Sequence, residues 1–546
     1  MSDHSNNIKK QFKPPYENMD KYEQEHANEH KKWDRRSFFR TMGLGVGGVM
    51  MLGKMQVTAA SMSPLSAALS AANPDRILVL VRLKGGNDGL NTIIPLYDYD
   101  TYANNRPTLR ISQSDTFSLS NDFAMPDFMN TLEPFWGDGK MKVVHGVGYE
   151  GQNLSHFRSS DIWATGSDVD EVIDSGFMGR YYESQYPDFL SNPPEEPLAI
   201  QIGSVGNLMF TGSDFTSYAF SVADPEQLYQ LAQNGWLHDV NNLPDCLYGE
   251  QLGFLRAITN STLNYAGVIN DAYTAVTNDV SYDNSHLSNQ LALIARLIKG
   301  GLGTRVYMVS LGGFDTHALQ VDMHERLLTD LANGISSFFG DMAASGREND
   351  IMCMTFSEFG RRVAENASDG TDHGAAAPSL FFGPGLNGSG FIGQHPSLTD
   401  LDNAGNLQLN IDYRQLYASV MQDWLCIPSD IVDTTLLGVP YDRLNLGFEC
   451  LTSVPEQEKP GLTHRPVYMP DGEVFIEYEL PSSMHVQVLI LDIMGRKIAQ
   501  LDNGSKLPGK HKVAIRANSG HLAKGPYMYR IIADGNSFSR SVFLTR

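Results

Sequence analysis

Six short apolar runs punctuate the middle of the chain: RILVLVRL (76–83), KMKVVHGVG (140–148), PLAIQIG (197–203), RVYMVSL (305–311), DIMCMTF (350–356) and SLFFG (379–383). Each is apolar almost throughout and too short for a helix, the pattern of a strand covered on both faces. Apolar positions at helical spacing follow in LSNQLALIARLIKGGLG (287–303), HERLLTDLANGISSFFGDM (324–342) and DYRQLYASVMQDWL (412–425). Such alternation predicts an α/β fold, a mostly parallel sheet with helices on both faces. Ligands of such sheets bind beyond the carboxyl ends of the strands. Residues 167–285 show weaker periodicity and many aromatics, including Tyr181, Tyr182, Tyr218 and Trp236, and read either as a substrate-facing insertion or as packing.

Past about Pro460 the period becomes two, in EVFIEYEL, HVQVLILDIMG, HKVAIRA, YMYRIIAD and SFSRSVFLTR. Turn residues separate the runs at Pro481-Ser482, Gly495-Arg496, Asn518-Ser519-Gly520 and Asp534-Gly535-Asn536. Short strands at this spacing predict a small β-sandwich of about seven strands. The charge changes too: residues 459–546 hold 12 basic and 7 acidic side chains, a net of +5, which leaves −22 − 5 = −27 on residues 1–458. The expected divisions are a lead and signal at 1–72, an α/β domain at 73–455, a linker at 456–467 and the sandwich at 468–546.

A net charge of −22 argues against nucleic acid as a partner, because phosphate backbones attract a surplus of Lys and Arg. It leaves an anionic small substrate open, since a bound cation reverses the local field. Four cysteines, Cys246, Cys353, Cys426 and Cys450, form no C-x-x-C pair, so a Cys-rich zinc site is not expected. Cys353 lies in an apolar run and reads as a packed core residue.

Residues 1–32 are polar and aperiodic, and read as a disordered lead. DRRSFFRTMGLGVGGVMMLGK follows, with Arg35 and Arg36 ahead of a Gly-rich apolar run, Met42 to Gly53, too short to cross a bilayer. The run resembles the h-region of a signal peptide and RRSFF resembles the twin-arginine export signal, which carries folded proteins. The plainer reading is a basic patch beside a buried helix. Small-residue stretches, VTAASM and LSAALSAANP, offer cleavage sites, and no other segment is long and apolar enough to be a permanent membrane span. In the tail, V-x-I-L-D-I-M-G-R-K-I, then L-x-x-G-x-H, then L-A-K-G-P-Y-M-Y-R-I and a closing strand resemble the type IX secretion C-terminal sorting domain of the Bacteroidetes. The alternative is an ordinary carbohydrate-binding or immunoglobulin-like appendage. Together the two resemblances imply twin-arginine and type IX export machinery as partners. They imply a destination at the cell surface or outside, by way of the periplasm.

Five polar clusters fall at or after the ends of the α/β runs. KGGNDGLN brings Asp88; NLSHFRSSDIWATG brings Ser155, His156 and Arg158; GGFDTH brings Asp315 and His317; SEFGRR brings Glu358; DGTDHG brings Asp372 and His373. Singly, each has a structural reading. Asp88 suits a turn, Ser155 and Asp315 suit helix N-caps, Glu358 sits one helical step from Arg361, Arg158 suits the surface, and His373 suits a loop. Jointly, parallel strands would bring them to one edge. Asp and neutral His are oxygen and nitrogen ligands for zinc-like divalent ions, and side chains two apart in extended chain project the same way.

GGNDGLN, SHFRSSDIWATG, GGFDTH, SEFGRR and TDHG, in that order, resemble the DUF1501 proteins over about residues 75–450. Through them the chain is similar to the alkaline phosphatase and sulfatase superfamily. The resemblance implies one metal held by Asp315, His317 and His373, and a second near Asp88, Glu358 and the nucleophile Ser155. Where that second site uses an Asp-His pair this chain has Glu358-Phe359, and Phe is no ligand; His156 or water would have to complete it. The implied activity is metal-dependent hydrolysis of phosphate or sulfate esters, Ser155 attacking and Arg158 binding the anionic oxygens. Two other readings stand beside it: an exported binding or scaffold protein that keeps the fold and one metal site, and a one-metal hydrolase of carboxylic or peptide bonds.

Overall fold

The computed structural model describes residues 50–52, 55–57, 76–450 except 188, 190–192, 204–205, 214, 234, 237, 240–246, 387 and 449, and 463–544 except 469–472, 492–496, 516–521, 523–524 and 534–535. Most of the lead and signal therefore lies outside the described residues, as do Cys246, much of the linker and the turns at 495–496, 518–520 and 534–535. Met50–Leu52 and Met55–Val57 pair antiparallel. The chain divides into two compact units, Met1–Glu449 and Cys450–Arg546.

The larger unit is built on a nine-stranded mixed sheet. Its strands are β1 (Ile77–Lys84), β2 (Met141–Gly148), β3 (Ala199–Ile202), β4 (Ala219–Val222), β5 (Val306–Gly312) and β6 (Ile351–Phe356). After a hairpin of β7 (Gly360–Glu365) and β8 (Thr371–Gly374) come β9 (Ala377–Phe382), β10 (Gly390–Ile392) and β11 (Ile411–Asp412). The spatial order is β10-β2-β9-β6-β1-β5-β3-β4, with β11 beside β2. All six apolar runs are strands, and one runs backwards: β9 pairs antiparallel with both β6 and β2. The connection explains the reversal. Only the β7–β8 hairpin separates β6 from β9, with no crossover helix, so the chain re-enters from the edge it left.

Every residue of β6 is buried and β1 is nearly as closed, so both faces of the sheet are covered. Helices supply the cover. Leu291, Ile294 and Ile298 of α3 (His286–Lys299) share one core with Leu328, Leu331 and Ile335 of α4 (Gln320–Ala344) and with the central strands. Each trio repeats at helical spacing, so it forms one apolar stripe. The segment at 167–285 adds β3, β4 and the long helix α2 (Leu247–Ala275). Its Tyr182 and Tyr218 are core residues, while Trp236 is exposed. Packing therefore accounts for those two tyrosines.

Among its described residues the smaller unit has seven strands: β12 (Thr463–Tyr468), β13 (Val474–Leu480), β14 (Met484–Leu491), β15 (Lys497–Lys506), β16 (Gly509–Ala514), β17 (Gly525–Ala533) and β18 (Asn536–Leu544). They form two antiparallel sheets, β12-β13-β16 and β15-β14-β17-β18. Val474, Ile476 and Val513 of one sheet and Val486, Val488 and Ile531 of the other make one core. Alternate residues of β13 are buried, as period-two patterning requires. Cys426 and Cys450 are disulfide-bonded, and Cys353 is free and fully buried in β6. Among the described residues no helix is long and apolar enough to cross a membrane.

Candidate metal centre

Strands β1, β2, β5 and β6 run the same way, so the loops that follow them meet at one edge of the sheet. Two glycines let those loops touch backbone to backbone. Gly85, at φ +125°, would place a Cβ 2.4 Å from the Asp315 nitrogen, and a Cβ on Gly370 would fall 2.3 Å from the His317 carbonyl carbon. Any larger residue there would push a ligand-bearing loop away.

Three histidines then turn the same way round. His373 Nδ1 lies 2.8 Å from the Leu154 carbonyl, His156 Nδ1 3.1 Å from Glu358 Oε1, and His317 Nδ1 3.5 Å from Asp372 Oδ1. For His373 and His156 the rear partner is an oxygen that accepts a hydrogen bond, which puts the proton on Nδ1 and the lone pair on Nε2, while His317 Nδ1 stands at ion-pair distance from its own. All three Nε2 atoms converge on one carboxylate. They stand 3.0 Å (His373) and 3.2 Å (His317) from Asp315 Oδ1, and 3.2 Å (His156) from Asp315 Oδ2. His317 Nε2 and His373 Nε2 are 2.9 Å apart. With both rings protonated on Nδ1, lone pairs that close would repel each other unless a cation lay between them; with His317 protonated on Nε2 the contact is a hydrogen bond to His373.

The donor set fits such an ion. Around a tetrahedral zinc-like ion with bonds of about 2.0–2.1 Å, ligand atoms stand roughly 3.3 Å apart, close to the spacings seen here. Ligand atoms of His156, Asp315 and His373 all lie within 4.8 Å of one another, and His156 Nε2 is buried without a hydrogen-bond partner. Burial would raise the Asp315 carboxyl, but Arg361, by its hydrogen bond and its charge, wins and holds it well below the usual carboxylate range. Burial holds the His373 imidazole below its ordinary value, despite its bonds to Asp315 and the Leu154 carbonyl. Phe359 forms the floor, its ring 4.5 Å from that of His373 and 4.9 Å from that of His156.

Other expected residues are placed differently. Asp88 is fully buried and committed elsewhere: Arg106 reaches Oδ2 at 2.6 Å, Gln320 Nε2 reaches Oδ2 at 2.5 Å, and the Leu90 amide reaches Oδ1 at 3.2 Å. Burial would raise its carboxyl; Arg106 and His324 carry it below the ordinary value instead. Arg158 is not turned to the cluster, because it donates to the Asp168, Val169 and Glu171 carbonyls. Ser155 caps α1 (His156–Thr165) in position only; its side chain makes no capping bond and the residue is exposed. It stands between Leu154, which holds His373, and His156. Glu358 reaches the cluster through His156 and also accepts from the Gly85 amide at 2.9 Å.

Two supporting residues carry no sign of their role in their motifs. Arg361 does not pair with Glu358 along a helix, because SEFGRR enters β7. It turns inward with no exposed side-chain surface, donating to Asp315 and to the Gly85, Gly86, Phe314 and Thr371 carbonyls. Gln320, also fully buried, accepts from Thr316 at 3.0 Å and Thr371 at 2.6 Å while donating to Asp88. It ties the Asp315–His317 loop to the His373 strand. A short polar side chain at the start of a helix carries little signal of such a role.

Residues 260–436 match the family described as "Protein of unknown function (DUF1501)". That span includes Asp315, His317, Glu358 and His373. No curated protein matches the chain. Solved structures resembling it include a protein of the alkaline phosphatase superfamily from Vibrio parahaemolyticus (TM-score 0.28, 8% identity, 79% of each chain covered). Two others are the lipoteichoic acid synthase LtaP from Listeria monocytogenes (TM-score 0.24, 10% identity, 78% of this chain and 86% of that one) and the alkaline phosphatase from the Antarctic bacterium TAB5 (TM-score 0.25, 9% identity, 58% and 95%). At these scores the likeness carries no chemistry, which rests on the side chains described above.

Proposed function

We propose that this chain is an exported hydrolase of phosphate or sulfate esters that requires a divalent cation. The convergence of three anchored imidazoles on Asp315 carries the reading, with His156, Asp315, His317 and His373 holding the ion. When bound, the ion supplies positive charge against the anionic oxygens of the ester. Ser155 is the nucleophile: exposed, free of capping and flanked on both sides by residues that touch the cluster. Its Oγ bonds to phosphorus or sulfur as the ester oxygen leaves with its electron pair and takes up the hydroxyl proton, and water later cleaves the seryl ester, returning a proton to Ser155 Oγ. Export is part of the proposal. The Arg35-Arg36 signal, the sandwich with the order of a type IX sorting domain, and the disulfide-bonded Cys426 and Cys450, which suit an oxidising compartment, support it.

Turnover of aryl phosphate and aryl sulfate esters by the metal-loaded chain, with Ser155→Ala and His373→Ala beside it, tests the chemistry. Loss of turnover in both variants is expected, and turnover indifferent to chelation would overturn the reading. Phe359, buried where a second ligand pair was expected, favours one other reading, a binding protein with a single ion. That reading predicts a bound cation and no turnover of either ester. Replacing Arg35 and Arg36 by Lys, or deleting 459–546, tests export by fractionation of cells and medium.

A further inference from the structure

We propose that Glu358 serves the centre as a positioning residue acting through His156, and that a single internal water, held between Glu358, Trp163 and Arg82, fixes it in place. The proposal rests on the cation reading of the cluster but assigns Glu358 a place behind the ligands.

Helix α1 supplies most of the apparatus. His156, Ser159, Ser160 and Trp163 recur at positions i, i+3, i+4 and i+7, so they share one face, and that face meets Glu358. Glu358 is 1% exposed. Its backbone carbonyl accepts from Ser159 Oγ at 2.5 Å and from Gln152 Nε2 at 3.0 Å. Its Oε1 accepts from the Gly85 amide and from His156 Nδ1. Oε1 is thereby filled from two sides, and the imidazole it holds presents Nε2 to Asp315. A carboxylate behind a histidine fixes ring orientation and tautomer and raises the ligand's basicity.

The other oxygen, Oε2, is buried with no hydrogen-bond partner. So is Trp163 Nε1, on a residue 4% exposed. Both border a void of about 10 Å³ whose lining includes Arg82, Ser160 and Asn207. That is about the room one water needs, and a buried water makes two to four hydrogen bonds. Arg82 NH2, bonded to Ser160 Oγ at 2.6 Å, stands 3.9 Å from Oε2, too far for a direct bond and suited to a bridge. A water there accepts from the indole N–H and from Arg82 and donates to Oε2, satisfying both orphaned groups.

Zinc titration by chelator competition, and histidine ¹⁵N NMR of the zinc-free protein, test the proposal on wild type, Glu358→Gln and Trp163→Phe. In wild type the expected result is one zinc per chain and a His156 Nδ1–H signal. Glu358→Gln should still bind one zinc at saturation, with Kd raised about 10- to 100-fold and the His156 tautomer signal displaced. Trp163→Phe should displace that signal less and weaken zinc by a smaller factor, and wild-type crystals should show ordered water between Trp163 Nε1 and Glu358 Oε2. Loss of the zinc itself from folded Glu358→Gln, making Glu358 a ligand, would overturn the proposal, as would unchanged affinity and tautomer. Failure of wild type to bind zinc would remove the cation reading alone, and the NMR comparison would then judge the role of Glu358.

Discussion

Replacing Gln320 by Met keeps the volume of the side chain and removes all of its hydrogen bonds. Three are lost: one to the Asp88 carboxylate at 2.5 Å and two from the Thr316 and Thr371 hydroxyls at 3.0 and 2.6 Å. A buried hydrogen bond to a charged group contributes about 1.5–3 kcal/mol and a neutral one about 1 kcal/mol. Asp88 keeps Arg106, and Thr316 keeps a long contact to the Phe314 carbonyl at 3.4 Å, which trims the loss. The expected destabilisation is about 3–5 kcal/mol. Urea unfolding followed by tryptophan fluorescence reads it, because Trp136, Trp163, Trp236 and Trp424 lie in the larger unit and residues 450–546 hold no Trp. The midpoint should fall with the slope unchanged. Zinc affinity should fall too, since Thr316 lies between Asp315 and His317 and Thr371 lies two residues before His373. A loss below about 1 kcal/mol, no larger than Gln113→Met gives at an exposed site, would refute the clamp.

Three further outcomes are expected. His145 is 2% exposed, and burial, helped by neighbouring His395, pushes its imidazole down to about 3. Its neutral form is favoured only in the folded state, so its contribution is intact above about pH 6.5 and is lost as pH falls toward 3. At about 1.4 kcal/mol per pH unit, His145 alone should remove about 2–3 kcal/mol of stability between pH 6.5 and 4.5, on top of the share of buried His324 and His395, which are lowered in the same direction. His145→Leu should flatten that limb in urea titrations at the two pH values, and an unchanged slope would contradict the assignment. Gly85→Ala should cost more than about 3 kcal/mol and weaken zinc binding, because its Cβ would fall on the Asp315 backbone; thermal unfolding and zinc titration check both. Ser155→Ala should leave stability within about 0.5 kcal/mol, as the hydroxyl caps nothing, while turnover falls at least about 10³-fold.

Much of the fold is legible along the chain, because strands covered on both faces must be apolar throughout and helices must carry a stripe. The direction of β9 is not, since it depends on the connection before it. Asp315, His317 and His373 stand out because their motifs are short and local. Asp88 illustrates the opposite case. Its motif suits a ligand, yet its charge is taken by Arg106, 18 residues on, and by Gln320, partners that only the folded chain brings near. The spacing of Glu358 and Arg361 suggests a helical step, whereas Arg361 stands at the start of a hairpin strand, where its guanidinium binds carbonyls from three parts of the chain. Side chains that bind backbone carbonyls leave no pattern in a sequence, because every residue offers one.

The account stands or falls on cation binding. Isothermal titration of chelator-stripped chain with zinc should show one ion per chain at micromolar Kd or tighter, weakened at least about 100-fold in His317→Ala and in His373→Ala. A stripped wild type that takes up no zinc, or one whose binding ignores both substitutions while the fold stays intact, would contradict it.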